Sequence, residues 1–529
     1  MTDHTDLILR SLLPATAETF DERVERQAST VADMLEGGDL NNPGFALGIE
    51  IEAYAMDDGG LVRLPDDVFD APCDRELGLH NAELHTDPTP FDEDGIAAQA
   101  DQLRSSLEAA RAVARESGAE IVLDAMWAVP PAEGTRSYLG DVASEDGVTI
   151  ARNMTESTRY YALDNEILQQ TDGSVPISVP GADVEFPSIL CESLTSSIQP
   201  HLQLPDADDL PAYYNAAIRT LGPVLALVTN SPLLPVDLYD VDDPERLLDE
   251  THHELRIPAF EQSINAAWNK VRVPGDIGTT ADTLEYLLDD PTCAPFLREW
   301  VADDDRTTID GRLWEFDHKR GTYWRWVRSV VGGQPVGGGD RRSIRIEYRP
   351  LPTQPTVAGN VGLQVLVAGL LRGIVATDHP LATLDHEAAE ESFYAAVADG
   401  IDADLAWVTA DGERTQQKDD IYDELFSLAR AGLAAQDVPK DVVERYIDPQ
   451  KRAGSNGRHR ARGNSTVFGQ NLRAGTPSRK PSARCSEPIR STADRRRPSS
   501  TGTKGPRCSA SRSGDIGRYA RSRPRRPRR

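Results

Sequence analysis

Gly48-Ile49-Glu50-Ile51-Glu52 alternates apolar and acidic residues. In a β-strand residues i and i+2 share a face, so Glu50 and Glu52 would project to one side and Ile49 and Ile51 to the other. Three further stretches repeat the device: Ala82-Glu83-Leu84-His85-Thr86-Asp87, Ser197-Ile198-Gln199-Pro200-His201-Leu202-Gln203 and Arg345-Ile346-Glu347-Tyr348-Arg349. One such strand is an ordinary solvated face. Four of them predict a sheet with one acid-lined face and one apolar face. A buried row of carboxylates repels itself unless cations sit between them. Hard cations such as Mg²⁺ take oxygen ligands of this kind and usually bring phosphates with them.

Around these strands, apolar residues at helical spacing predict helices over 97–117, 150–168, 210–228, 357–376, 387–398, 421–433 and 438–446. Further strands are expected at 121–127 and 323–331, a loop at 133–148, a loop or hairpin at 176–186, and surface helices within 274–312. Strands and helices interleave without the even rhythm of a doubly wound sheet. The fold class expected is therefore α+β, one antiparallel sheet with helices packed on its other face.

The 529 residues are enough for one large domain or two to three ordinary ones, and 39% hydrophobic content allows a sizeable core. No run of 18 uninterrupted apolar residues occurs. The most apolar run, 361–375, contains Gln364 and Arg372 and reads as a buried helix, not a membrane span. The start of the chain lacks the basic and apolar regions of a signal peptide. Five cysteines without a CxxC pair fit a reducing cytoplasm and argue against a structural zinc cluster. Residues 451–529 hold 23 Lys and Arg against 3 Asp and Glu, leaving 33 basic and 83 acidic residues in the first 450. Only four of those 33 are Lys, at 270, 319, 418 and 440. So acidic a surface suits a protein that works in high salt, where its self-repulsion is screened. The basic segment is rich in Arg, Ser, Pro and Gly and cannot bury a core. It reads as a disordered tail, and its composition is that of a GC-rich coding sequence translated in a shifted frame. Nucleic-acid binding would rest on this segment alone.

Taken in order, the motifs resemble the glutamate–cysteine ligase family of ATP-dependent carboxylate–amine ligases. That family opens with G-[VI]-E-x-E, matched by Gly48 to Glu52. It continues with L-E-[LF]-x-T, matched by 82–86, with an acid seven residues earlier at Glu76. Then come Q-x-[HN]-x-[HNQ], matched by Gln199, His201 and Gln203, and an "ALSANSP" element, matched by 226–232. Near the end, E-V-R-x-x-D-x-x-x-T is matched by Glu347, Arg349 and Thr356. The resemblance covers residues 44–375 within a catalytic domain taken as 1–450, whose part from 376 to 450 is helical. It implies a curved antiparallel sheet like that of glutamine synthetase, forming a funnel entered by ATP on one side and the amino acid on the other. It implies Mg²⁺, or Mn²⁺, held by Glu50, Glu52, Glu76, Glu83, His201 and Glu347. Glu347 and Arg349 would be catalytic, with Arg349, Gln199 and Gln203 on the nucleotide and Arg328 on a substrate carboxylate. The expected partners are small molecules, with neither a membrane nor nucleic acid.

The chemistry fits those residue types. A carboxylate does not condense with an amine in water, because oxide is a poor leaving group. Transfer of a phosphoryl group makes an acyl phosphate that an amine can attack, and that transfer needs cations and a planar Arg fork, not a nucleophilic Ser or Cys. The chain departs from the family at Pro352, where an Asp is usual, and at Gln203, where many bacterial members have a second His. Glutamate plus cysteine is the reaction expected. A different amine acceptor and a relative that binds without turnover are the alternatives, the latter favoured by Pro352.

Overall fold

Alternation decides the sheet. Along Ala46–Asp57, residues Leu47, Ile49, Ile51 and Ala53 are buried while Gly48, Glu50 and Glu52 stand partly open between them. The computed structural model describes residues 2–241, 244–301, 311–333, 336 and 342–455. They lie in one compact unit, Met1–Thr476. The basic segment from 456 on, and with it the expectation of a disordered or frame-shifted tail, lies outside the described residues. The last described helix, Lys440–Ser455, runs through the change of composition at Lys451.

Ten strands form the main sheet: β1 (Ala46–Asp57), β2 (Gly60–Leu61), β3 (Asp74–Arg75), β4 (Asn81–His85), β5 (Thr89–Pro90), β6 (Glu120–Val122), β7 (Ser197–Gln203), β8 (Val327–Gly332), β9 (Ser343–Tyr348) and β10 (Leu351–Pro352). The order across it is β8-β9-β7-β1-β4-β3, with β10 beside β7 and β2, β5 and β6 beside β1. Every pairing is antiparallel. The class is α+β, a curved antiparallel sheet with helices on its apolar face, as expected. Helices Glu93–Glu116, Leu210–Ala226 and Val357–Ala376 pack on that face. In the last of these 14 residues are buried, and each fully buried Leu, Ile or Val contributes roughly 1.5–3 kcal/mol. By length and composition this helix could cross a membrane, but 78% of its apolar window is buried inside the protein.

Several expectations need correction. The helix expected over 150–168 is a strand, Val148–Ala151, followed by a helix, Thr158–Gln170. That strand closes a hairpin with Val142–Glu145 in part of the expected loop. Its turn is Asp146-Gly147, both at positive φ, the backbone that a two-residue hairpin turn demands. The strand expected at 121–127 pairs only over Glu120–Val122, and that at 323–331 only from Val327. Within 274–312 the described α-helix is Asp282–Asp289, and 302–310 lie outside the described residues. Two N-terminal helices, Thr2–Ser11 and Pro14–Glu36, precede the sheet. The second buries Phe20, Val24, Ala28 and Val31, a helical stripe that the sequence displays and our reading left unassigned.

Candidate active site

Register places the alternating residues in rows. His85 on β4 stands opposite Glu50 on β1, which stands opposite Gln199 on β7. In the next row Asp74, Glu83 and Glu52 are neighbours on β3, β4 and β1. Another row runs Gly48, His201, Glu347, Arg328 across β1, β7, β9 and β8. Four stretches separated by up to 300 residues thus share one polar face.

Two clefts open on that face. The first, of about 1020 Å³, is lined by Glu50, Glu52, Glu76, Glu83, Gln199, Arg328 and Arg349 together with Glu192 and Arg256. Its other wall is mixed, with Leu163, Ile189, Phe260, Ile264 and Trp324 beside Arg159 and Tyr160. The second, of about 960 Å³, is lined by Gly48, His85, Asp87, His201, Gln203 and Arg345. Glu50 lines both. Glu347 is 1% exposed and sits beneath the arginines.

The charged groups divide in two. Around Glu347 the charges are compensated. Arg328 Nε donates to Glu347 Oε2 at 2.8 Å, and Arg349 Nη1 donates to Glu347 Oε1 and to Gln199 Oε1. Burial works against the Glu347 carboxylate, but Arg328, Arg349 and His201 hold it well below the usual range. Glu50 is treated likewise: burial raises it, and His201 and Arg328 bring it below its ordinary value. His201 Nε2 lies 3.4 Å from Glu50 Oε1 without hydrogen-bond alignment. Arg345 Nε donates to His201 Nδ1 at 3.0 Å, which occupies that nitrogen and leaves a proton on Nε2. His201 must give up that bond or that proton before it can ligate a cation.

Towards β4 the acids outnumber the bases. Burial, then Glu50, Glu76 and Glu52, push the Glu83 carboxyl well above its ordinary value. Glu76 rises to about 7 through burial and Glu52. Glu52 is raised by burial, although Ser197 N (2.6 Å) and Gln199 Nε2 (3.2 Å) donate to it and Arg349 and Arg256 attract it. Carboxylate oxygens without matching cations are the donor set that a hard divalent ion takes. Among the described residues no three His, Cys, Asp or Glu converge tightly enough to hold a metal as they stand. The residue types fit such an ion, and the side chains would have to draw in around it.

All the expected residues therefore reach this face: Glu50, Glu52, Glu76, Glu83, Gln199, Arg328 and Arg349 in the first cleft, His201 and Gln203 in the second, Glu347 between arginines. Gln203 Nε2 donates to Gly44 O at 3.1 Å, which fixes its amide at the rim. Pro352 on β10 pairs with Ser197 at the far end of β7. Our reading missed Glu192, Arg256 and Arg345. Arg345 continues the alternation of Glu347 and Arg349, so the signal was present. Glu192 lies in a 3-10 turn, Ile189–Leu194, and Arg256 at the start of a helix, Arg256–Asn265, where no period-two pattern marks them. Arg256 is held by Glu254 at 3.1 Å and by Pro350 O.

The family described as Glutamate-cysteine ligase family 2 (GCS2) matches residues 46–466. Among solved structures, the glutamate–cysteine ligase of Francisella tularensis in complex with AMP aligns with a TM-score of 0.44 and 14% identity, over 83% of this chain and 96% of that one. A bifunctional glutathione synthetase from Pasteurella multocida aligns with 0.46 and 14%, over 85% of this chain and 52% of its own, so this chain spans about half of it. The complex of the prokaryotic ubiquitin-like protein Pup and its ligase PafA aligns with 0.35 and 10%, over 83% and 70%. No curated protein matches. The chain belongs to glutamate–cysteine ligase family 2, a family of ATP-dependent carboxylate–amine ligases.

Proposed function

We propose that this chain joins glutamate to cysteine with ATP and Mg²⁺, giving γ-glutamylcysteine. The observation that carries the reading is the pair of clefts sharing Glu50, one lined by uncompensated carboxylates and arginines, the other by His201, Gln203 and Arg345. Two substrates entering from the two clefts would meet over Glu50, Gln199 and the Glu347–Arg349 pair. Glu50, Glu52, Glu76 and Glu83 would hold Mg²⁺, or Mn²⁺, which takes the same oxygens, with Glu347 and His201 at the edge of the set. When bound, the ions cancel phosphate charge and align donor with acceptor. Arg349 presents its fork to the phosphoryl group, and Gln199 and Glu347 keep that fork in place. Gln199 and Gln203 contact the nucleotide. Arg328, anchored by Glu347 and the carbonyl of Tyr323, offers its remaining donors to a substrate carboxylate. The amine nitrogen, once its ammonium proton has passed to solvent, attacks the carbonyl carbon of the acyl phosphate so formed, the C–O bond to phosphate breaks, and a second N–H proton leaves with the phosphate.

ADP release in concentrated KCl, with Mg²⁺, glutamate and a panel of amines, tests this. Cysteine is expected to stimulate release, and Glu347→Gln to lower the stimulated rate by about 100-fold through loss of the charge that fixes both arginines. If no amine stimulates release and Glu347→Gln changes nothing, the ligase reading fails. If another amine stimulates it, that amine replaces cysteine as the acceptor. Pro352, in the place of an acid, favours one second reading, a relative that binds nucleotide or amino acid without turnover. Calorimetric binding of nucleotide without ADP release would establish it.

A further inference from the structure

We propose that Glu192 receives the ammonium group of the acceptor amine. The proposal rests on the ligase reading and adds to it the residue that recognises the amine.

The turn that carries Glu192 is fixed at both ends by side chains with no exposed surface. At its start Asp164 accepts from Ser188 Oγ and Ile189 N, both at 2.8 Å. Near its end the carbonyl of Ser193 accepts from His80 Nε2 and Trp127 Nε1, both at 3.0 Å. His80 Nδ1 faces Tyr138 Oη at 3.1 Å, so the imidazole is held as the Nε2–H tautomer that this carbonyl requires. Within the turn Ser193 Oγ donates to Leu190 O at 2.6 Å and Thr195 Oγ1 to Glu192 O at 3.0 Å. The backbone of Glu192 is thus fastened on every side. Its carboxylate lines the first cleft and, among the described residues, has no hydrogen-bond or ion-pair partner.

Glu192 stands off the sheet on its own turn, although burial, then Glu76 and Glu52, push its carboxyl well above its ordinary value. It stands on the wall built by the turn against helices Thr158–Gln170 and Arg256–Asn265, which contribute Leu163, Phe260 and Ile264 together with Arg159, Tyr160 and Arg256. A hard divalent ion needs six or so oxygens, and this wall offers one carboxylate and the Tyr160 hydroxyl, with the guanidiniums of Arg159 and Arg256 and apolar groups around them. An ammonium carrying an organic group needs one charged acceptor for its N–H donors and apolar surface for the rest. The wall supplies both.

The test separates the two half-reactions. Hydroxylamine, uncharged at neutral pH, captures the acyl phosphate as the hydroxamate without an ammonium receptor. With ATP, Mg²⁺ and glutamate, Glu192→Gln should form hydroxamate within about twofold of the unaltered enzyme. With cysteine, or whichever amine of a twenty-amino-acid and alkylamine panel is used, its KM for the amine should rise about 10- to 100-fold, the loss of one charge-assisted hydrogen bond. Trp127→Phe, which removes one clamp and leaves the carboxylate, should raise the same KM severalfold and spare the hydroxamate. If Glu192→Gln abolishes hydroxamate at an unchanged melting temperature, the carboxylate serves the phosphoryl step and the proposal is overturned. Unaltered use of the amine overturns it too, as does an unaltered enzyme that makes hydroxamate but accepts no amine. Absence of both products from the unaltered enzyme removes the ligase reading itself. Should Glu192→Gln fail to fold, Glu192→Asp, which draws the carboxylate back by one methylene, decides by the same KM criterion.

Discussion

Asp164 has no exposed surface and, among the described residues, two neutral donors, Ser188 Oγ and Ile189 N. Burial pushes its carboxyl from an ordinary 3.8 to about 7. The folded chain then holds a proton that the unfolded chain has released, so its stability falls as pH rises from about 4 to about 7 and stays lost above that. Asp164→Asn has no charge to bury. Urea unfolding should show parent and variant converging near pH 4, and the variant ahead by on the order of a few kcal/mol above pH 7. Parallel curves across that range would count against the assignment. At this scale the sequence displayed every residue that sits on a strand, because alternation gives each side chain a face. It displayed neither Glu192 nor Arg256, because turns and helix starts carry no such period and only the fold brings them to the cleft. It also hid the division of the acids. Glu347 and Glu83 look alike in sequence, but arginines from β8 and the end of β9 reach only the former.

Helices Val357–Ala376 and Lys418–Ala434 cross backbone to backbone. A Cβ on Gly369 would stand 2.8 Å from Ala429 O, while one on Gly373 or Gly432 would strike Leu428 O or Gly369 O. These are backbone atoms and cannot swing aside. Gly373→Ala should therefore cost about 1–3 kcal/mol or more in urea unfolding, although alanine favours helix. Gly44→Ala, with nothing within 4 Å of its Cβ, should stay within about 0.5 kcal/mol. Equal costs at the two sites would refute close helix approach. The apolar run was readable as a buried helix, and the hairpin at Asp146-Gly147 could have been read from its turn. The ends of the strand at Val327 could not. Trp326 N bonds Arg272 O and Trp326 O accepts from Arg349 N, contacts that depend on residues distant in the chain.

Over the whole molecule, 83 acids face 33 bases in the first 450 residues. Screening falls off over about 10 Å at 0.1 M salt and about 3 Å at 1 M, so added KCl quiets most of the surface repulsion. The melting temperature should climb by several degrees between about 0.1 and about 1 M KCl. A flat response would show that the acidity is not an adaptation to salt. Charge of this kind is legible from composition alone, whereas the two clefts needed the register of the sheet. Their shared wall has a thermodynamic consequence. Because Glu50 belongs to both compartments, a ligand that reorients it in one changes the free energy of binding in the other. Such coupling is reciprocal: whatever factor nucleotide adds to the affinity for the amino acid, the amino acid returns to the nucleotide.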